Sequence, residues 1–487
     1  MNCLEKMKNN VCPWPSALGT ILVSLACPYL GAAAAISSGE FQTGAIGAGS
    51  VDAYTFTGNP GDNIVVRVGT TNFDPRIDLY VPGGALVTNA FTANANYRDA
   101  VLYSKLTNSG TFTAAISSYF AGGAGTYGLK FAQIPGPFVV PTGEQGGSMN
   151  DGATYTGQIN LGGFNLWSFS GNAGDNIQLR MGATNFSPRI DLYGPNGALL
   201  TNAFTINANY RDAWLALQLP SSGTFTVVVS SYFLQDFGGY SLNLAQIPGP
   251  FVVSPGEQGG PLTNGVRNVG QIGLGGLQMW AFAGNAGDSI QLRMGTTDFS
   301  PRIDLYGPNG ALLTNAFTIN ANYRDTRLAL QLPSSGTFTV VVSSYFLDDF
   351  GGYSLNLAQI PGPFVVSPGE QGGPLTNGVR NSGQLGLGDL GMWAFSGNSG
   401  DSIQLRMGAT NFTPRFDLYG PDGALLTSAF TVNGNNRDAS LALRLTNSGT
   451  YTVVVSSYFL DDFGGYSLNL AQIPGGFTVS PGDFGGV

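Results

Sequence analysis

A repeat of 113 residues constrains the fold of this chain more than any other feature. The phrase AQIPG occurs four times, with its proline at Pro135, Pro248, Pro361 and Pro474. The period is too long for a solenoid unit and matches the length of an independent domain. The sequence therefore predicts separate domains joined by short Pro- and Gly-rich spacers that are semi-rigid. Their predicted bounds are 36–140, 141–253, 254–366 and 367–479, with a tail at 480–487.

Each repeat shows the alternation of apolar and polar residues that is typical of β-strands. In the second repeat, residues 165–170, 176–181 and 189–193 alternate, and turn sequences such as GPNG at 194–197 separate them. The 72 glycines and 27 prolines supply many such turns, and charged residues make up only 10% of the chain. Short period-two runs between turns indicate a sandwich or a barrel. We therefore expect an all-β chain of four tandem β-sandwich domains in an elongated array.

The order of short motifs within each repeat resembles the bacterial pre-peptidase C-terminal domain. In the second repeat the motifs are the turn Gly174-Asp175, the strand IDLY at 190–193, SGTFTVVV at 222–229 and GGYSL at 238–242. This resemblance covers all four repeats and implies a jelly-roll-like β-sandwich. It also implies an appendage to a secreted peptidase or other exoenzyme, with some relatives binding collagen or calcium. The repeats contain no such enzyme, so an appendage role does not follow for this chain.

The first 35 residues have the pattern of a secretory signal peptide. Lys6 and Lys8 precede a largely apolar segment at 17–30, and four alanines at 32–35 offer a cleavage site. We expect cleavage near Ile36 and a secreted, extracellular or cell-surface protein with no membrane span in the mature chain. The alternative is a lipoprotein signal with Cys27 as the lipidated residue. Plain cleavage leaves no cysteine, because the three cysteines are Cys3, Cys12 and Cys27.

The absence of histidine narrows the possible chemistry. A chain with no His, and no Cys after the leader, cannot build a His-dependent triad, a Cys nucleophile or a His/Cys zinc site. A net charge of −9 without a basic stripe argues against nucleic acid as a partner. The acidic pairs Asp348-Asp349 and Asp461-Asp462 are replaced by Gln235-Asp236 and Gly122-Gly123 in the other repeats. We therefore expect a protein that is not an enzyme, with these pairs in solvated loops.

Two recurrent aspartate positions are candidate calcium ligands, since carboxylate and loop oxygens suit this cation. One lies in the Asp-Leu-Tyr strand, where the alternative is a surface ion pair with the arginine two residues earlier. The other closes the motif Asn-x-Asn-x-Arg-Asp, where the alternative is turn stabilisation. Calcium is thus the one cofactor for which the sequence gives candidates. The eight residues are Asp78, Asp191, Asp304 and Asp417 in the strand, and Asp99, Asp212, Asp325 and Asp438 in the motif.

Aromatic residues recur at two positions with different expected roles. Trp167, Trp280 and Trp393 each have a phenylalanine two residues later on the same strand face, which indicates core packing. A Tyr-Phe pair ends a later strand beside a loop, where an exposed contact with a partner is expected. The candidate binding residues are Tyr232, Phe233, Tyr345, Phe346, Tyr458 and Phe459.

These features predict a secreted, non-catalytic, multivalent binding or structural protein of the bacterial cell exterior, such as an adhesin or a surface or matrix component. Four linked copies raise avidity without a strong single site. The expected partner is an extracellular protein or polysaccharide, or another copy of the chain. One alternative is an accessory carbohydrate- or protein-binding protein for exoenzymes. Another is a head-to-tail extracellular filament in which the tail SPGDFGG at 480–486 completes the first domain of the next copy.

Overall fold

The computed structural model describes residues 33–93, 98–206, 211–319, 324–433 and 437–483. These residues form strands and turns, and none of them lies in a helix. Within this part of the chain, a helix with the length and hydropathy needed to cross a bilayer is therefore absent. Residues 1–32, which include Cys27 and most of the predicted leader, lie outside the described part of the chain.

The first two repeats each contain nine strands. Those of repeat 1 are β1 (Ala34–Ala35), β2 (Phe41–Ile46), β3 (Val51–Gly58), β4 (Asn63–Thr70), β5 (Pro75–Tyr80), β6 (Leu86–Phe91), β7 (Asp99–Lys105), β8 (Gly110–Ser118) and β9 (Gly125–Ile134). Those of repeat 2 are β10 (Gly147–Ser148), β11 (Thr154–Ile159), β12 (Asn165–Gly171), β13 (Asn176–Ala183), β14 (Pro188–Tyr193), β15 (Leu199–Phe204), β16 (Asp212–Gln218), β17 (Gly223–Ser231) and β18 (Gly238–Ile247).

The last two repeats follow the same order. Those of repeat 3 are β19 (Gly260–Pro261), β20 (Arg267–Ile272), β21 (Gln278–Gly284), β22 (Ser289–Thr296), β23 (Pro301–Tyr306), β24 (Leu312–Phe317), β25 (Asp325–Gln331), β26 (Gly336–Ser344) and β27 (Gly351–Ile360). Those of repeat 4 are β28 (Gly373–Pro374), β29 (Arg380–Leu385), β30 (Gly391–Gly397), β31 (Ser402–Ala409), β32 (Pro414–Tyr419), β33 (Leu425–Phe430), β34 (Asp438–Arg444), β35 (Gly449–Ser457) and β36 (Gly464–Ile473).

Each repeat folds into two packed sheets. In repeat 1 the order is β1-β3-β8-β5-β6 in the five-stranded sheet and β2-β9-β4-β7 in the four-stranded sheet, and the other repeats copy both. The short first strand pairs in parallel with β3, and the remaining pairs are antiparallel. The prediction of four tandem β-sandwich domains is confirmed.

The core of each sandwich follows the predicted alternation. In repeat 2, Ile177, Leu179 and Met181 point from β13 into a cluster that also contains Trp167 and Phe169. The indole nitrogen of Trp167 donates a hydrogen bond of 3.0 Å to the hydroxyl of Tyr240. Burial raises the pKa of Tyr240 to about 12, so this hydroxyl stays protonated at neutral pH. The expectation that the three tryptophans pack in the cores is confirmed.

The opposite face of the four-stranded sheet is also buried in repeats 1 to 3. We call this outer face of the four-stranded sheet the lower face of a repeat, and the outer face of the five-stranded sheet its upper face. Val65, Ala132 and Ile134 on the lower face of repeat 1 pack with Leu166 and Tyr193 on the upper face of repeat 2. The next two junctions have corresponding clusters. Adjacent repeats therefore share a buried interface, which the sequence analysis did not predict.

The first sandwich begins slightly before its predicted boundary. Strand β1 at Ala34–Ala35 pairs with Tyr54 and Thr55, as Gly147–Ser148 pairs with β12 in repeat 2. The next residue, Ile36, lies in the core of repeat 1. Cleavage between Ala35 and Ile36 would therefore remove an edge strand that the other repeats keep.

Candidate binding surface and repeat junctions

An exposed cluster of three aromatic rings lies at one edge of each sandwich. In repeat 2, Phe204 stacks on Tyr232 with 4.6 Å between ring centroids, and Phe233 meets Tyr232 edge-on at 5.0 Å. Both phenylalanines are exposed. We call these sets the aromatic clusters; they are Phe91/Tyr119/Phe120, Phe204/Tyr232/Phe233, Phe317/Tyr345/Phe346 and Phe430/Tyr458/Phe459.

Strand ends bring these rings together. Strand β17 ends at Ser231, so Tyr232 and Phe233 leave the sheet, whereas Phe204 is the last residue of edge strand β15. Phe233, Phe346 and Phe459 are exposed as expected, whereas Tyr232, Tyr345 and Tyr458 are only partly exposed. The binding role of all six residues stays a prediction. Sequence analysis missed the stacked phenylalanine and the whole cluster of repeat 1. Alignment of the repeats would have found Tyr119 and Phe120, because they align with Tyr232 and Phe233.

An arginine beside each aromatic cluster forms an ion pair with the first candidate aspartate. The Nε of Arg189 donates to Asp191 at 2.8 and 3.0 Å, and its guanidinium carbon lies 6.0 Å from the ring centroid of Phe204. The same guanidinium lies 5.5 Å from the ring of Tyr103 in the preceding repeat. The expected Arg-Asp pairing occurs in all four repeats, at Arg76–Asp78, Arg189–Asp191, Arg302–Asp304 and Arg415–Asp417.

In repeats 2 to 4 these pairs are not the surface ion pairs that the sequence suggested, whereas Arg76 in repeat 1 is 35% exposed. The side chain of Asp191 is 1% exposed, because the lower face of repeat 1 covers the upper face of repeat 2. Burial raises the pKa of Asp191, and the neighbouring Arg189 opposes this rise.

The second candidate aspartate forms a buried ion pair at the junction, and the arginine of this pair reaches across to the next repeat. Asp212 on β16 pairs with Arg180 on β13, and both side chains are at most 2% exposed. The same guanidinium donates 2.7 Å to the hydroxyl and 3.0 Å to the carbonyl of Ser344 in repeat 3. The first and third junctions repeat this arrangement with Arg67, Asp99 and Ser231, and with Arg293, Asp325 and Ser457.

Every candidate calcium ligand thus faces an arginine. Within the described ranges, no group of three or more acidic side chains is placed to hold a metal ion. Asn94, Asn96, Asn207, Asn209, Asn320, Asn322 and Asn435 of the loop motif lie outside those ranges. Calcium binding therefore stays a prediction for these loops.

Calcium at about 1 mM, a concentration that saturates many extracellular sites, is expected to leave the melting temperature unchanged relative to EDTA. The physical reason is that each described candidate carboxylate is already neutralised by a guanidinium. Differential scanning calorimetry of the full chain checks this, with magnesium as the control cation. A calcium-specific rise in the melting temperature would contradict it and point to the asparagine loops, since a ligand of the folded state stabilises it.

The acidic loop pairs have a structural role at the junctions. The carboxylate of Asp348 in repeat 3 accepts a hydrogen bond from the backbone N–H of Arg211 in repeat 2, and Asp461 caps Arg324 in the same way. Burial raises the pKa of Asp348. The expectation of a simply solvated loop is therefore wrong. Repeat 1 has Gly122 at this position, on an upper face that no described repeat covers.

Comparison with known proteins identifies no family for this chain. No family model matches the chain. No curated protein matches it either. Among solved structures, the pre-peptidase C-terminal domain of collagenase from Bacillus anthracis is 15% identical, with 21% of this chain and 95% of that domain covered and a TM-score of 0.18. The CUB1-EGF-CUB2 domains of rat MASP-1 are 7% identical, with 44% and 100% covered and a TM-score of 0.15. TM-scores this low carry no argument about the fold or the function of this chain.

Proposed function

We propose that the chain is an extracellular, non-catalytic protein that binds an extracellular polymer at several points at once. The observation that carries this proposal is the fourfold recurrence of the exposed aromatic cluster. Exposed aromatic patches mark interaction sites, because burying large rings supplies binding energy at low entropic cost. Descent of the repeats from pre-peptidase C-terminal domains, and secretion through the predicted leader, belong to the same proposal.

The junctions make the clusters act together. In repeats 1 to 3 the lower face is held on the upper face of the next repeat by the arginine of a buried ion pair and by an apolar cluster. Adjacent clusters therefore keep a fixed spacing, as a polymer with a regular repeat requires. When one cluster binds, the next is already near its own site, so weak contacts multiply into strong retention.

The surroundings of the clusters favour a neutral polysaccharide as the polymer. Asn202 lies two residues before Phe204 on the edge strand, so its amide and the ring share one exposed face. An aromatic ring beside an amide can contact both the apolar face and the hydroxyls of a sugar. Arg189 is already neutralised by Asp191, and the net charge of −9 disfavours polyanions. Asn89 and Asn315 repeat this placement, and Ser428 takes it in repeat 4.

Replacement of the edge-on phenylalanine by serine in all four clusters is expected to lower the apparent affinity for insoluble neutral polysaccharides at least about a hundredfold, because avidity is lost. Variants with one, two and three changes should show stepwise loss. The measurement is retention of the full chain on cellulose and chitin, with collagen as the protein arm. The substituted residues are Phe120, Phe233, Phe346 and Phe459.

The chain offers a matched control at the other end of the same edge strands. Four exposed leucines lie there, one in each repeat, and their replacement by serine removes similar apolar area away from the clusters. This control should bind as the unchanged chain does. Undiminished retention of the four-phenylalanine variant would exclude the clusters as the binding surface, and loss of retention on collagen alone would move the partner from polysaccharide to protein. The control residues are Leu86, Leu199, Leu312 and Leu425.

A further inference from the structure

The lower face of repeat 4 exposes residues that the three junctions bury. Ile473 is 69% exposed, whereas Ile134, Ile247 and Ile360, at the same position in AQIPG, are 1–2% exposed. The ion pair Arg406–Asp438 keeps its partners but has side chains 65% and 41% exposed. Among the described residues, no other repeat covers this face.

This uncovered face keeps a polar side chain that forms hydrogen bonds across the second and third junctions. In the second junction, Gln178 donates to Asp304 at 3.0 Å and to the hydroxyl of Tyr306 at 2.7 Å. In the third, Gln291 donates to Asp417 and Tyr419 at 2.8 and 2.7 Å. The same position in repeat 4 is glutamine again, Gln404, and it is exposed.

A glycine on the lower face is also kept where its own repeat does not need it. A Cβ at Gly182 would lie 2.2 Å from the carbonyl oxygen of Leu274 in repeat 3, so only glycine admits this loop. The equivalent Gly408 in repeat 4 has a Ser467 hydroxyl at 3.5 Å as the nearest atom to such a Cβ. The close approach that requires glycine is thus missing for Gly408 in the described chain.

The upper face of repeat 1 carries the matching groups. Asp78 and Tyr80 hold the positions of Asp304 and Tyr306, and Ser118 that of Ser344, which receives Arg180 in the second junction. Gly49 holds the position of Gly275, whose loop packs against Gly182. A surface cavity of about 420 Å³ opens on this face and is lined by Asp78, Tyr80 and Ser118 among others.

The apolar part of this upper face is smaller than in the other repeats. Val51, Ala53 and Ala115 stand where repeat 3 has Leu277, Met279 and Val341. A contact here buries less apolar area than an internal junction and is correspondingly weaker. Reversible association fits this balance, with the polar groups setting the register.

We propose that the lower face of repeat 4 binds the upper face of repeat 1 of a second copy, with the geometry of the internal junctions. Gln404 then donates to Asp78 and Tyr80 of the second copy, and Arg406 reaches its Ser118. Because the two faces differ, each bound copy presents a free face, and the assembly grows in a line. The tail is not needed for this contact, since the hydroxyl of Ser480 accepts from the backbone of Arg380 in its own repeat.

Sedimentation velocity of residues 33–487, which keep edge strand β1, from about 1 µM to about 1 mM, tests the proposal. The weight-average mass should rise continuously with concentration and pass that of a dimer. The double variant Gln404→Glu/Ile473→Lys should weaken association at least about tenfold, because buried apolar area is lost and a carboxylate faces Asp78. The control Val269→Lys, an exposed valine at a strand edge away from both faces, should associate as the unchanged chain does.

A mixing experiment separates this contact from every symmetric one. The variant Val51→Arg changes only the upper face and should also lose association by itself. An equimolar mixture of the two variants should form dimers and nothing larger, because one intact lower face meets one intact upper face. A chain that stays monomeric through the concentration range, or variants that fail to pair on mixing, would overturn the proposal. Equal melting temperatures of all variants confirm that the exposed substitutions leave the fold intact.

Discussion

Replacement of Asp212 by alanine is expected to destabilise the structure around the second junction by about 3–5 kcal/mol, since it leaves a buried charge without its partner. The guanidinium of Arg180 is 2% exposed and would keep only neutral oxygens of repeat 3 as acceptors. A water molecule in the space left by the carboxylate would not neutralise the charge of the guanidinium. The substitution should therefore lower the stability of repeats 2 and 3 together.

The matched control is Asp438→Ala in repeat 4. Arg406 and Asp438 form the same ion pair on the same strands, but the pair is exposed because no described repeat covers it. Exposed pairs contribute little, so this variant should leave the unfolding midpoint nearly unchanged. Chemical denaturation of the full chain, followed by fluorescence of the core tryptophans, measures both. Equal effects of the two substitutions would show that burial at the junction is not what makes the pair important.

The Arg180–Asp212 pair shows which part of the structure the sequence did not predict. Alternation correctly placed Ile177, Leu179 and Met181 in the core of repeat 2, because a core-facing strand surface has a period of two. Alternation also places Gln178 and Arg180 on the opposite face of the strand, but it does not show what that face contacts. That face meets another repeat, and nothing in one repeat's pattern distinguishes a polar interface from a wet surface.

The candidate surface was predicted in part for a related reason. The Tyr-Phe pair at 232–233 was a candidate because it ends a predicted strand beside a loop. Phe204 belongs to another strand, and only the pairing of β14 with β15 and β17 brings it onto Tyr232. Differences between the repeats indicate which faces are covered by a neighbouring repeat. Gly122 in place of Asp348, and Ser440 in place of Trp214, both lie on faces that no described repeat covers.

One such difference concerns Asp151, which holds a position occupied by asparagine in repeats 3 and 4. Asn264 donates its amide to the carbonyls of Gln359 and Pro363 at 2.7 and 3.1 Å, and its oxygen accepts from the backbone of Gln359. One oxygen of Asp151 likewise accepts a hydrogen bond from the backbone N–H of Gln246. Its other oxygen has no donor among the described residues. Burial raises its pKa from 3.8 to about 7. A protonated Asp151 can donate as Asn264 does.

The sign of the pH effect follows from this shift. Between pH 3.8 and about 7 the folded chain holds a proton at Asp151 that the unfolded chain has released. Stability therefore falls as the pH rises through this window and stays low above it. The shift corresponds to at most about 4 kcal/mol, and partial solvent contact reduces the expected loss to about 2 kcal/mol.

Asp151→Asn should thus raise the melting temperature of the chain at pH 8 and change it little at pH 4. The reciprocal Asn264→Asp should lower it at pH 8 and change it little at pH 4, because the new carboxyl is then protonated and can donate to the same carbonyls. Calorimetry of the two variants at both pH values isolates the titration, since the substitutions exchange the same two side chains between equivalent sites. An increase in melting temperature from Asp151→Asn that is equal at both pH values would contradict this prediction. It would mean that asparagine fits the site better for steric reasons, and that ionisation of the carboxyl group does not lower the stability.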